Sequence, residues 1–128
     1  MRKVLLENPE MTLILENGIV CATFKLVSLD LKTTQRIVDE RVKAMGEKKY
    51  PFFANIRSVK YSSKKAREFF ACEKGCEGLL AAALLVDSPL GSLIGNFFVK
   101  ASNPKIPTKT FSNETEAIKW LTQYVTND

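Results

Sequence analysis

The chain has 128 residues, 45% of them apolar and 26% charged, a balance that suits a folded domain and excludes collagen-like, coiled-coil-array and disordered-tail readings. Lys and Arg total 19 against 14 Asp and Glu, a formal charge of +5, which favours acidic partners weakly and does not specify nucleic acid. There is no His, which excludes Ser-His-Asp and Cys-His catalysis and every His-bearing zinc or iron site.

The first clear element is a hairpin. Met11 to Glu16 and Ile19 to Leu26 flank Asn17-Gly18, the pair that suits a two-residue type I′ turn because both central residues need φ > 0. Asp30 is placed to cap a helix on which Thr34, Ile37, Val38, Val42 and Met45 form an apolar stripe. Arg36, Asp39, Glu40 and Lys43 point away, and Gly46 ends the helix. Phe52 to Ile56 reads as a buried strand opened by Pro51. Ser62 and Ser63 offer caps for a helix from Lys64 to Lys74, with Ala66, Phe69, Phe70 and Glu73 at helical spacing and Gly75 as its stop.

Leu79 to Val86 is continuously apolar, as a strand covered on both faces should be, although its alanines keep a helix open. Ser88-Pro89 is a strong helix start. Leu90, Leu93, Ile94, Phe97 and Phe98 give that helix an apolar surface wider than one sheet face needs. Plain core, a homodimer face, and an apolar-ligand or membrane contact all stay open for it. Gly91 and Gly95, four apart, allow another element to approach closely. Ile106 to Phe111 reads as a strand whose Pro107 suits a sheet edge. Ser112 or Asn113 then caps a helix through Val125, with Ala117, Ile118, Leu121 and Val125 inward and Trp120 beside them.

The order β-β-α-β-α-β-α-β-α predicts an α/β fold: an N-terminal β-hairpin followed by βα units, with helices packed on a mainly parallel sheet. One domain spanning 1–128 is expected. Arg2 and Lys3 lead into only Val4, Leu5 and Leu6 before Glu7, so no secretory leader is expected. The longest apolar run, Leu79 to Val86, is too short for a transmembrane helix. Three cysteines, Cys21, Cys72 and Cys76, fit a reduced cytoplasmic setting better than a disulfide framework or a four-cysteine zinc site.

Ligands on such sheets bind beyond the carboxyl ends of the strands. One of those loops carries the only dense single-sign stretch: Arg57, Lys60, Lys64, Lys65 and Arg67, with no acid among them. It reads either as a solvated helix start or as an anion, acidic-lipid or partner contact. Asp87, at a strand end, is the best single candidate for acid-base work, set against a plain capping role. No paired carboxylates and no glycine-rich phosphate loop are present; neither cofactor nor metal is expected.

Several blocks resemble the SpoIIAA-like, or STAS/SEC14-like, group of small bacterial proteins. They are Ala54-Asn55-Ile56-Arg57-Ser58-Val59-Lys60 leading to Ala66-Arg67-Glu68-Phe69-Phe70, then Leu85-Val86-Asp87-Ser88-Pro89-Leu90 and Gly95-Asn96-Phe97-Phe98. Asn103-Pro104-Lys105-Ile106-Pro107, Phe111 and Glu116-Ala117-Ile118-Lys119-Trp120-Leu121 complete them. The resemblance implies a SpoIIAA-like (STAS) fold and a cytoplasmic, non-enzymatic module that binds a protein partner. Arg57, Lys60, Ser62, Ser63, Lys64 and Lys65 would then form the recognition loop. It also implies an alternative, because the SEC14 fold holds lipids in an apolar cavity: an apolar-ligand carrier, peripheral at the membrane, with the Leu90 to Phe98 helix as a mobile wall. Some members are switched by phosphorylation in an Asp-Ser-Ser-Gly motif. Here Tyr61-Ser62-Ser63-Lys64 stands in that region, without the aspartate and the glycine.

Overall fold

The structure, a computed structural model, describes residues 2–126, apart from the side chains of Leu90, Ile94, Phe97 and Ala101. Three strands open it: β1 (Arg2–Glu7), β2 (Met11–Glu16) and β3 (Ile19–Phe24). They pair antiparallel in that order. Asn17 and Gly18 have φ of 53° and 81°, the two positive values that the type I′ turn requires. The hairpin of β2 and β3 is therefore as expected, whereas β1 is an addition. Its residues are mostly exposed and a register shift falls between Val4 and Leu6, so an edge strand of this kind leaves no alternating pattern to read.

From β3 onward the sheet is parallel. β5 (Tyr50–Asn55) pairs with β3, β7 (Leu79–Leu85) with β5, and β8 (Thr108–Phe111) with β7, giving the order β1-β2-β3-β5-β7-β8. A two-stranded pair, β4 (Ser28–Leu29) and β6 (Tyr61–Ser62), ties the loop after β3 to the loop after β5. β8 lies at the sheet edge and begins just after Pro107, whose missing N–H does least harm there.

The helices α1 (Leu31–Met45), α2 (Lys64–Ala71), α3 (Pro89–Ala101) and α4 (Glu114–Thr122) follow their caps. Asp30 accepts from the Thr33 N–H at 2.8 Å, Ser88 from Gly91 at 2.9 Å and Asn113 from Glu116 at 3.0 Å. The Thr33 hydrogen bonds hold the Asp30 carboxyl below its ordinary pKa. A carboxyl lowered in the folded state stabilises above its unfolded pKa, and that contribution fades as pH falls through the folded value. Asp30→Ala should therefore lower the denaturation midpoint at neutral pH and leave it nearly unchanged at the acid end; a constant difference across pH would contradict the cap.

Two cores flank the sheet. Met11, Leu13, Val20, Ala22, Phe24, Phe52 and Ala54 share one with Ile37, Met45 and Ala66 of α1 and α2. Ile19, Phe53, Ala81, Ala83 and Leu85 share the other with Ala117 and Leu121 of α4. The period-two alternation of β5 and β7 divides their side chains between these faces, which accounts for the unbroken apolar run in β7. On the α4 side, Phe111, Trp120 and Tyr124 form an aromatic row with centroids 5.7 and 5.2 Å apart. Gly95 lets α3 lie against β8, since a Cβ there would stand 3.2 Å from Thr110.

Three expectations change. α4 ends at Thr122, not at Val125. α2 ends at Ala71, not at Lys74, and Glu73 is exposed beyond it. The chain then doubles back so closely that a Cβ on Gly75 would stand 2.0 Å from the Phe69 carbonyl oxygen. On α1, Arg41 occupies the buried stripe beside Thr34, Ile37, Val38 and Met45, while Val42 is only half-buried. A long side chain four residues from both Ile37 and Met45 reaches the same face.

Candidate functional site

The loop after β5 lies at the carboxyl ends of the parallel strands. Arg57 is exposed, with its backbone N–H and its Nε both directed to the Asn55 Oδ1, at 3.2 and 3.0 Å. Lys60 is exposed and donates from Nζ to the Arg57 carbonyl at 3.1 Å. Ser58 anchors the loop: its hydroxyl donates to the Phe24 and Leu26 carbonyls at 2.5 and 2.9 Å. Lys64 and Lys65 open α2 and are exposed. Among the described residues no salt bridge within 4.0 Å involves Arg57, Lys60, Lys64 or Lys65. Val27 and Tyr61, 61% and 59% exposed, stand on the neighbouring β4–β6 connection, where the Lys60 and Tyr61 N–H groups both donate to the Val27 carbonyl.

The two serines part company. Ser63 caps α2, accepting from the Ala66 N–H at 3.1 Å. Ser62 lies in β6, is 9% exposed and does not cap a helix; its hydroxyl accepts from an Arg67 Nη1 at 3.1 Å, and its carbonyl accepts from the same nitrogen. The parallel pairing of Leu29 with Ser62 turns that residue inward, which spacing along the chain does not reveal.

Behind this loop an apolar cavity of about 100 Å³ lies between the sheet and the helices. Phe24, Phe52, Ala54, Ala82 and Leu84 line its sheet side, Ile37, Val38 and Phe70 its α1–α2 side, and Gly95 and Phe98 its α3 side. Of the apolar set expected on α3, Phe98 is thus a cavity wall, and Leu93 is 66% exposed. The side chains of Leu90, Ile94 and Phe97 lie outside the described residues.

Two arginines also line it, Arg41 and Arg67. Arg41 is 3% exposed and stacks over the Phe52 ring at 5.5 Å. Its Nη2 donates to the carbonyls of Gly75 and Glu77 at 3.2 and 2.8 Å, and its Nη1 to Gly75 at 3.3 Å. Burial pulls its pKa down to about 10, so it stays charged at neutral pH. The signal for this residue was its place on the apolar stripe of α1, a charged side chain at a core position.

Of the remaining candidates Cys76 lines the cavity, whereas Asp87, Cys21 and Cys72 do not. Asp87 is exposed at the end of β7. Cys21 sits on the α4 side, where burial and the nearby Glu16 and Glu114 push its thiol up to about 11. Cys72 and Cys76 do not share a helix; their thiols donate to the Phe69 and Phe70 carbonyls. Burial raises the Cys76 pKa. Among the described residues no three of His, Cys, Asp and Glu converge as metal ligands, and no helix is long and apolar enough to cross a membrane.

Residues 13–125 match the family described as "Domain of unknown function (DUF7793)". The chain belongs to that family. The DUF7793 fold is SpoIIAA-like: the chain is similar to the crystal structure of an uncharacterized protein of the DUF3478 family with a SpoIIAA-like fold from Shewanella loihica. The TM-score is 0.60 at 11% identity, over 91% of this chain and 97% of that one. The likeness concerns architecture, and it agrees with the resemblance seen in the sequence at the level of fold. None of the curated proteins matches this DUF7793 chain.

Proposed function

We propose that this protein is a non-catalytic binding module of the STAS-like type, which captures an acidic protein surface at the carboxyl ends of its parallel strands. The observation that carries the reading is the exposed basic set Arg57, Lys60, Lys64 and Lys65 around the exposed Val27 and Tyr61. Apolar tips rimmed by one sign of charge suit a complementary protein surface. Ser63 positions Lys64 and Lys65 by capping the helix that bears them. The loop itself is held by Ser58 and by the β4–β6 pairing, so little order has to be gained on binding. A cytoplasmic setting fits its three free thiols.

The test is binding of the purified chain to a polyglutamate probe and to phosphatidylserine vesicles at low salt. Lys64→Glu with Lys65→Glu should weaken polyglutamate binding about tenfold or more. Unchanged binding would remove the loop from the reading, and a preference for vesicles would turn it into a membrane contact. Turnover abolished by changing one side chain would overturn the non-catalytic part.

A second reading rests on the cavity, whose wall is almost wholly apolar. A void of that size and lining suits a small apolar body. In this reading the chain is an apolar-ligand carrier, and native mass spectrometry of the freshly purified protein should find a bound small molecule.

A further inference from the structure

The cavity wall is mostly apolar, with Ser62 and Thr108 as its neutral polar residues. Two cationic side chains, Arg41 and Arg67, stand on its wall, and among the described residues no Asp or Glu lines it. Arg67 is engaged with the Ser62 carbonyl and hydroxyl. Arg41 has no carboxylate within 4.0 Å; the salt bridges of the described residues lie elsewhere. Its guanidinium is fixed by the Gly75 and Glu77 carbonyls and by Phe52, and its buried Nε has no hydrogen-bond partner. The Glu77 carboxylate pairs with Lys74 and acts on Arg41 only from beyond ion-pair distance, so this buried cation has lost its hydration and is held by neutral carbonyls with no counter-charge in contact.

We infer that the cavity takes a small carboxylate with a compact apolar body, the body against Phe24, Phe52 and Leu84 and the carboxylate against the Arg41 guanidinium. This rests on the reading of the cavity as a ligand site and adds the chemical class of the ligand. A volume of about 100 Å³ suits a short alkyl chain or a single ring and is small for a long lipid tail. A carboxylate would supply both the missing acceptor for Nε and the missing charge, and such charge-assisted hydrogen bonds are strongest where water is excluded. A neutral ligand of the same shape would fill the void and leave the cation uncompensated. A cationic one would add a like charge beside Arg41 and Arg67.

The experiment is calorimetric titration of the full chain with hexanoate, 1-hexanol and hexylamine. Hexanoate should bind about tenfold or more tighter than hexanol, with hexylamine weakest. Arg41→Met should remove the preference and keep hexanol binding. Ala82→Leu, which fills the sheet side of the cavity, should weaken both. Hexanol binding as tightly as hexanoate would overturn the carboxylate assignment and leave the cavity reading standing. Binding of none of the three would overturn the cavity reading with it. Hexanoate binding that Ala82→Leu leaves untouched would place the anion on the surface lysines and overturn the inference. Should Arg41→Met lose its cooperative melt, the three-ligand series on the unaltered chain still decides.

Discussion

Gly75→Ala should destabilise the fold by about 3 kcal/mol or more, the size expected where a new atom meets rigid backbone. The added Cβ would lie 2.0 Å from the Phe69 carbonyl oxygen and 2.8 Å from both the Cα and the carbonyl oxygen of Phe70. All three are main-chain atoms at the end of α2, so no side chain can swing aside. The chain would have to lift off α2 between Cys72 and Gly78, and the Gly75 carbonyl would leave the Arg41 guanidinium with it. Urea denaturation measures this directly. A loss under about 1 kcal/mol would mean that the doubled-back chain relaxes easily and that Gly75 is not needed for its path.

Arg41→Ala should cost about 3 kcal/mol, from two sources that can be separated. The Gly75 and Glu77 carbonyls lose their donor, and the space over Phe52 empties. Arg41→Met should recover roughly half of that loss, because its side chain refills the space and brings no charge to desolvate. If Arg41→Met is as damaging as Arg41→Ala, the hydrogen bonds to the loop carry the whole effect and packing contributes nothing. Because Gly75 and Arg41 share a hydrogen bond, the double variant should fall short of the sum of the single losses.

Part of the candidate site is legible in the sequence. Arg57, Lys60, Lys64 and Lys65 stand out as a run of one sign, and all four are exposed around the strand ends. Ser62 and Ser63 read as equivalent caps in the sequence, yet one is buried in a strand pairing and the other caps α2. The cavity left no mark along the chain. It is the space remaining where α1, α2 and α3 fail to meet over one sheet face, and that depends on residues as far apart as Phe24 and Phe98.

Local signals in the amino-acid order set the turns, caps and strands and, through them, the architecture. Asn17-Gly18 turns the hairpin, Asp30 and Ser88-Pro89 start helices, and the run from Leu79 builds the central strand. Each works through the φ preference of one or two residues, a hydrogen bond a few residues away, or a hydrophobic period, so each survives reading in one dimension. Tertiary structure alone decided that Arg2–Glu7 adds an edge strand, that the chain doubles back at Gly75, and that a cavity opens beneath α3. Burial of Arg41 follows from the same packing: a position on a helix says which way a side chain faces, and only the elements brought against it from elsewhere in the chain remove its water and set the Gly75 and Glu77 carbonyls in its place.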